Sequence, residues 1–165
     1  MKYLLSFDPG LRCSGLALFE DGVLVETYLA EAQMGPRDAA GAIEMARSVL
    51  STLEYSGFKP LQKDHLHFAY EKQQVYSLAG NADDLFQLAY VNGAVAYMLN
   101  RPSTGYLPRE WKGQVPKRIH QPRIIKALTD EERAEMDKDL APYTKSLRHN
   151  ALDAVGIGLK YLRRM

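Results

Sequence analysis

Cysteine and tryptophan are almost absent: Cys13 and Trp111 are the single examples of each in 165 residues. One cysteine excludes an internal disulfide and suits a reducing compartment. Cys13 lies in an apolar alternation and reads as a small core residue. Charge of one sign is also lacking. The net charge is +1, so any nucleic-acid surface has to come from a local cluster rather than bulk basicity. No stretch reaches the ~18 unbroken apolar residues of a membrane span. The opening Met1-Lys2-Tyr3-Leu4-Leu5 meets Asp8 too soon for a signal peptide's apolar core. A cytoplasmic protein is expected, without a membrane partner. There is no internal repeat and no low-complexity tract, so residues 1–165 read as a single domain of ordinary globular composition.

What is present is an orderly run of strand and helix signals. Residues 2–7, 13–19 and 23–29 read as three strands, the last two joined by Glu20-Asp21-Gly22, a strong hairpin turn. Gly35-Pro36 breaks the chain. Apolar positions from Ala39 to Leu53 then repeat at helical spacing over 37–55, closed by Gly57 and Pro60. Residues 65–71 read as a fourth strand, with His65 and His67 on its solvent-facing or edge side. Residues 84–99 read as a helix apolar on most faces and therefore buried on more than one side, with Gly93 allowing close approach. A short strand at 103–107 follows. Pro116 and Pro122 predict that parts of 108–128 are irregular, and Thr129 to Glu132 reads as a capping box. A last helix is expected over 147–162 with Ser146 as N-cap, and Gly156 and Gly158 make sense there if it lies tightly on the sheet. The order predicts an α/β domain with an antiparallel edge on a partly parallel sheet.

Three acids hold comparable places. Asp8 ends the first strand, Glu71 ends the fourth, and Asp153 sits in the first half of the last helix, with Asn150 at i−3 and His149 at i−4 able to share its face. Taken alone, Asp8 reads equally as a turn residue capping the Gly10 or Leu11 amide. Taken together, three converging carboxylates would repel one another unless a divalent cation lies between them. Oxygen donors favour Mg²⁺ or Mn²⁺. Two such ions would activate a water and stabilise the leaving oxygen of a phosphodiester. The competing reading is three separate surface acids.

At this point the residues resemble a known family. Phe7-Asp8-Pro9-Gly10 with Ser14-Gly15, then Tyr70 to Tyr76, then Leu107-Pro108-Arg109-Glu110-Trp111-Lys112, then His149 to Gly158 resemble the RuvC-type Holliday junction resolvases, above all their phage-like branch. The resemblance implies an RNase H-like fold, a mixed five-stranded sheet with helices on both faces. It also implies a homodimer that makes paired symmetric nicks in four-way DNA with two Mg²⁺ ions, Mn²⁺ substituting, and no small-molecule cofactor. Its cellular place would be the cytoplasm, the host's if the chain is phage-encoded. By the same resemblance Asp8, Glu71 and Asp153 are catalytic metal ligands. The fourth position departs from the family, which has Asp or His where this chain has Asn150. Either Asn150 serves as a weak neutral ligand, or His149 replaces it, or one ion is held weakly.

Residues 109–126 form the best local basic patch. Arg12, Lys72, Arg109, Lys112, Lys117, Arg118, Arg123 and Lys126 are candidate phosphate contacts, and Tyr76 is a candidate wedge against unstacked bases. A solvated charged face is the plainer reading of the patch, and Trp111 is expected to pack on the fold. Three other functions remain in view. One is a junction binder that does not cut, which Asn150 favours. Another is an RNase H-like nuclease acting on other branched DNA or RNA. The third is an ATPase lobe of the actin and sugar-kinase type, for which the chain lacks the length of a second lobe.

Overall fold

Strands β1 (Tyr3–Asp8), β2 (Cys13–Glu20) and β3 (Val23–Glu31) form an antiparallel meander in the computed structural model, which describes residues 2–32, 39–58, 62, 64–74 and 82–165 apart from the Lys117 side chain. The β2–β3 turn places Asp21 and Gly22 at φ 49° and 86°, the left-handed pair that a tight hairpin requires. Helix α1 (Ala39–Tyr55) crosses to β4 (Leu66–Glu71), which pairs parallel to β1. Helix α2 (Ala82–Leu99) crosses to β5 (Ser103–Tyr106), parallel to β4. The sheet order is β3-β2-β1-β4-β5. Helices α3 (Pro108–Trp111), α4 (Lys117–Ala127), α5 (Asp130–Leu140) and α6 (Lys145–Tyr161) complete the chain.

Strand alternation sorts the core into two layers. Leu5, Phe7, Leu16, Leu18 and Phe68 pack against α1 and α2. Leu4, Ala17, Phe19 and Ala69 pack against α6 with residues of α3, α4 and α5. Helix α6 lies close enough to the sheet that a Cβ on Gly158 would meet the Phe19 ring at 2.2 Å and Ser6 Oγ at 2.8 Å. That contact explains a glycine where helix propensity opposes one. Among the described residues no helix is long and apolar enough to cross a membrane.

Four expectations need correction. Helix α2 is not buried on several sides. Val91, Asn92, Val95 and Leu99 face the core, while Phe86, Tyr90 and Tyr97 are exposed, and among the described residues no heavy atom outside the helix backbone comes within 4 Å of the Cβ position of Gly93. Residues 112–116 are irregular as expected, but the chain around Pro122 is helical. Pro122 sits inside α4, where its fixed φ suits a helix but its ring removes one hydrogen bond and crowds the carbonyl of Arg118. Helix α6 starts two residues earlier than expected: Thr144 rather than Ser146 is its N-cap, and the two hydroxyls lie 3.1 Å apart. His67 is half-buried rather than solvent-facing. It bonds Thr104 Oγ1 at 2.9 Å and lies 4.6 Å from the Tyr161 ring, and burial pulls its pKa below the usual imidazole value. The Thr129–Glu132 capping box forms as expected.

Candidate active site at the carboxyl ends of β1 and β4

The register runs Tyr3↔Leu66 through Phe7↔Tyr70, which sets Asp8 and Glu71 side by side one residue further on. Alternation then turns both toward the α6 layer, because Leu4 and Ala69 already face it. The Gly10 amide donates to Ser14 Oγ at 3.0 Å, so that amide is capped by the serine hydroxyl.

Helix α6 reaches this corner through a glycine. Gly15 is the β2 partner of Asp8, and a Cβ there would lie 2.0 Å from the Asn150 carbonyl oxygen. The backbone of α6 therefore rests on the strand directly across from Asp8. One turn on, Asp153 is 3% exposed, a burial that carboxylates reach only with compensation. Asn150 donates from Nδ2 to the Cys13 carbonyl at 2.9 Å, which fixes its amide beside the same corner. His149 lines a groove with Gln121, Ile125 and Met136 on the α4–α5 side. The structure thus brings Asn150 to the acids and leaves His149 beside α4 and α5.

Glu71 is held from α3. Trp111 Nε1 donates to Glu71 Oε2 at 2.8 Å, and Lys112 Nζ contacts the same oxygen at 3.1 Å. On the other side Asn92 Nδ2 donates to the Glu71 carbonyl at 2.8 Å. The Trp111 indole is wedged against α6, where a Cβ on Gly156 would meet it at 2.6 Å. His120 packs edge-on to it with centroids 4.8 Å apart. His120 is 3% exposed, and its Nε2 has no hydrogen-bond partner among the described residues. Its burial lowers its pKa, against the opposing pull of Asp153.

Lys112 is the charge around which the acids gather. Burial pulls its pKa down, but the fields of Glu71, Asp153 and Asp8 outweigh that and hold it above the usual lysine value. Like charges crowded on one corner need such a counter-charge. The donor set of three carboxylates and an amide oxygen has the hard-oxygen chemistry that suits Mg²⁺ or Mn²⁺. Its spacing is more open than its chemistry. Among the described residues no three His, Cys, Asp or Glu side chains stand close enough to hold an ion as they are, and Glu71 Oε2 is already committed to Trp111 and Lys112.

The other candidates fall into three groups. Arg12, Lys72, Arg109, Arg118, Arg123 and Lys126 are exposed. The stem of Lys72 lies over Gly105, whose Cβ would meet it at 2.6 Å. Lys112 is turned inward on Glu71 and does not face solvent as a phosphate contact. Lys117 opens α4 with its side chain outside the described residues, and Tyr76 also lies outside them. The sequence reading missed the parts of Trp111, His120 and Asn92. The only signal in the chain was the adjacency of Trp111 to Lys112; the partners of all three residues are distant in sequence.

No protein-family model matches the chain, and a search of curated proteins finds no match. Solved structures do match in shape. RuvC of Thermus thermophilus in complex with a Holliday junction substrate aligns over 99% of this chain and 96% of its own, with a TM-score of 0.57 and 17% identity. A second structure of Thermus thermophilus RuvC aligns over 98% and 95%, with a TM-score of 0.55 and 18% identity. The mixed five-stranded sheet with helices on both faces is thus the RNase H-like α/β fold seen in RuvC.

Proposed function

We propose that this protein is a structure-selective DNA endonuclease that resolves four-way junctions by hydrolysing phosphodiesters. One observation carries the reading. Asp8 and Glu71 leave neighbouring parallel strands toward the same face, and α6 is seated on Gly15 so that Asp153 descends on that corner. The neighbour described with a Holliday junction substrate makes four-way DNA the substrate to test first. Asp8, Glu71 and Asp153, with Asn150 Oδ1 as a weaker neutral donor, are the residues that would hold divalent ions. A divalent ion in this place supplies Lewis-acid activation of water and stabilisation of the leaving oxygen. Glu71 Oε2 is engaged by Trp111 and Lys112, contacts that would orient the carboxylate toward such an ion. The exposed basic residues of α3 and α4 would then meet the phosphate backbone.

Paired symmetric nicks require two copies of the site related by a two-fold axis. Phe86, Tyr90 and Tyr97 follow one stripe of α2 at helical spacing, and this is the surface proposed for the homodimer.

The deciding experiment incubates a synthetic four-way junction with the protein in Mg²⁺ and then Mn²⁺ and maps the products on denaturing gels. Paired nicks lost in Asp153→Asn support the reading; no nicks in either ion sink it. A second reading, a junction binder that does not cut, is favoured by the amide at Asn150 and by the open spacing of the acids. Tight junction binding with no nicking in Mn²⁺ would select it.

A further inference from the structure

At the outer edge of β5 a cleft of about 560 Å³ lies between the strand and the end of α6. Its walls are Thr104, Tyr106, Lys160, Tyr161, Arg163 and Met165, and among the described residues no Asp or Glu side chain lines it. The volume falls in the range of a small-ligand site, and the lining pairs two cations with two phenol rings. Tyr106 is the β5 partner of Glu71 in the parallel ladder. Paired residues point to the same face, so the cleft begins one strand away from the candidate active site and on its side of the sheet.

The end of α6 carries a second, independent sign. The Arg164 amide donates to the Leu159 carbonyl at 2.9 Å, and the Arg163 amide to the Lys160 carbonyl at 3.1 Å. These two bonds define a Schellman cap, whose left-handed residue is usually glycine. Here that residue is Arg163, at φ 57°. A long side chain is kept where the backbone favours none, and strain of this kind concentrates at working sites. The Tyr106 hydroxyl feels Arg163: burial and Tyr161 push its pKa up, and the guanidinium opposes them. Arg163 and Tyr106 both line the cleft.

We infer that this cleft is a nucleotide subsite, with a backbone phosphate on Arg163 and Lys160 and an unstacked base against Tyr106. The inference rests on the nucleic-acid reading given above and names a second place where the strand is gripped, away from the α3–α4 basic patch. Arginine offers the planar fork that matches phosphate, and base stacking on a tyrosine tolerates any base.

The test is Arg163→Gly, measured by fluorescence anisotropy on a labelled four-way junction across a salt series, with thermal melting in parallel. Glycine relieves the left-handed strain, so melting is expected at the wild-type temperature or above it. Binding is expected to weaken by about tenfold at moderate salt, and the slope of log K against log salt to become shallower by about one. A 2-aminopurine placed near the junction centre should be quenched on binding, less so in Tyr106→Leu. Wild-type affinity and slope in Arg163→Gly would overturn the subsite, as would a loss of affinity matched by a lower melting temperature. Unchanged quenching in Tyr106→Leu at every position tried would overturn the base contact and with it the nucleotide. Wild-type protein that binds no junction would sink the nucleic-acid reading itself, a result distinct from a junction bound equally well by the variant.

Discussion

Two residues separate a place in the sequence from a role in the site. Asn150 and His149 both precede Asp153 by about one helical turn, and spacing alone does not choose between them. The choice is made by Gly15, which seats the α6 backbone so that Asn150 meets the Cys13 carbonyl and His149 turns to the α4–α5 groove. Asn150→Asp is therefore expected to raise junction cleavage at low Mg²⁺, because a charged oxygen replaces a neutral donor. His149→Ala is expected to cut at the wild-type rate. Initial rates over an Mg²⁺ titration check both, and a large loss in His149→Ala would return that histidine to the site. Trp111 supports a second prediction. Phenylalanine keeps most of the ring between Gly156 and His120 but removes the only bond from the indole nitrogen to Glu71. Such outer contacts to a metal ligand typically matter by about 10–100-fold in affinity or activity. Trp111→Phe should bind the junction as wild type does while losing about tenfold in single-turnover cleavage, with Mn²⁺ affinity by calorimetry falling alongside.

At the scale of elements, α5 is fastened by one ion pair. Glu132 is buried and takes Arg164 on both oxygens at 2.6 Å, the Leu24 amide at 2.8 Å and the Thr129 amide at 2.8 Å. Burial pushes this carboxyl up, and the bonds from Arg164, Leu24 and Thr129 more than reverse it, holding it down at about 2. A depressed carboxyl stabilises the fold above its unfolded value of 4.5 and loses that contribution as pH falls toward 2. Glu132→Gln should cost about 3 kcal/mol by urea unfolding at pH 7, the low end for breaking a buried pair because Arg164 keeps 26% of its side chain in water. The gap between variant and wild type should close as pH drops below 4.5. A gap that stays constant between pH 7 and pH 3 would remove the ion pair from the account.

The same scale shows what the chain discloses. Strand ends, the Asp-Gly turn, the capping box and the glycines of α6 were legible, because each is a local rule with a local cause. Asp8 and Glu71 were legible as a pair once both were placed at strand ends. Lys112 was not legible as the charge among the acids, since its partners come from three separate elements. The reach of Arg164 to Glu132 and the indole bond to Glu71 were hidden for the same reason. The exposed stripe of α2 was misread because an apolar count cannot tell a face turned to the core from one turned outward.

At the scale of the whole molecule that stripe becomes a prediction about assembly. Tyr97 is 85% exposed and Phe86 64%, more aromatic surface on one helix than single scattered residues explain. A protein that nicks two strands symmetrically should be dimeric at micromolar concentration by light scattering, and Tyr90→Glu with Tyr97→Glu should yield monomers. Such monomers should retain their fold by circular dichroism and lose paired cutting before single nicking. A wild type that is monomeric while cutting both strands together would require another route to symmetry.

Helix α6 carries Asp153 at its midpoint and finishes beside the β5 cleft. Eight residues of rise separate Asp153 from Tyr161, about 12 Å. Along a duplex strand that span covers roughly three to four phosphates at 3.4 Å each. A stiff rod with an acid at one mark and cations at the other behaves as a ruler. It would set the interval between the bond that breaks and the point where the strand is gripped, whatever the bases in between.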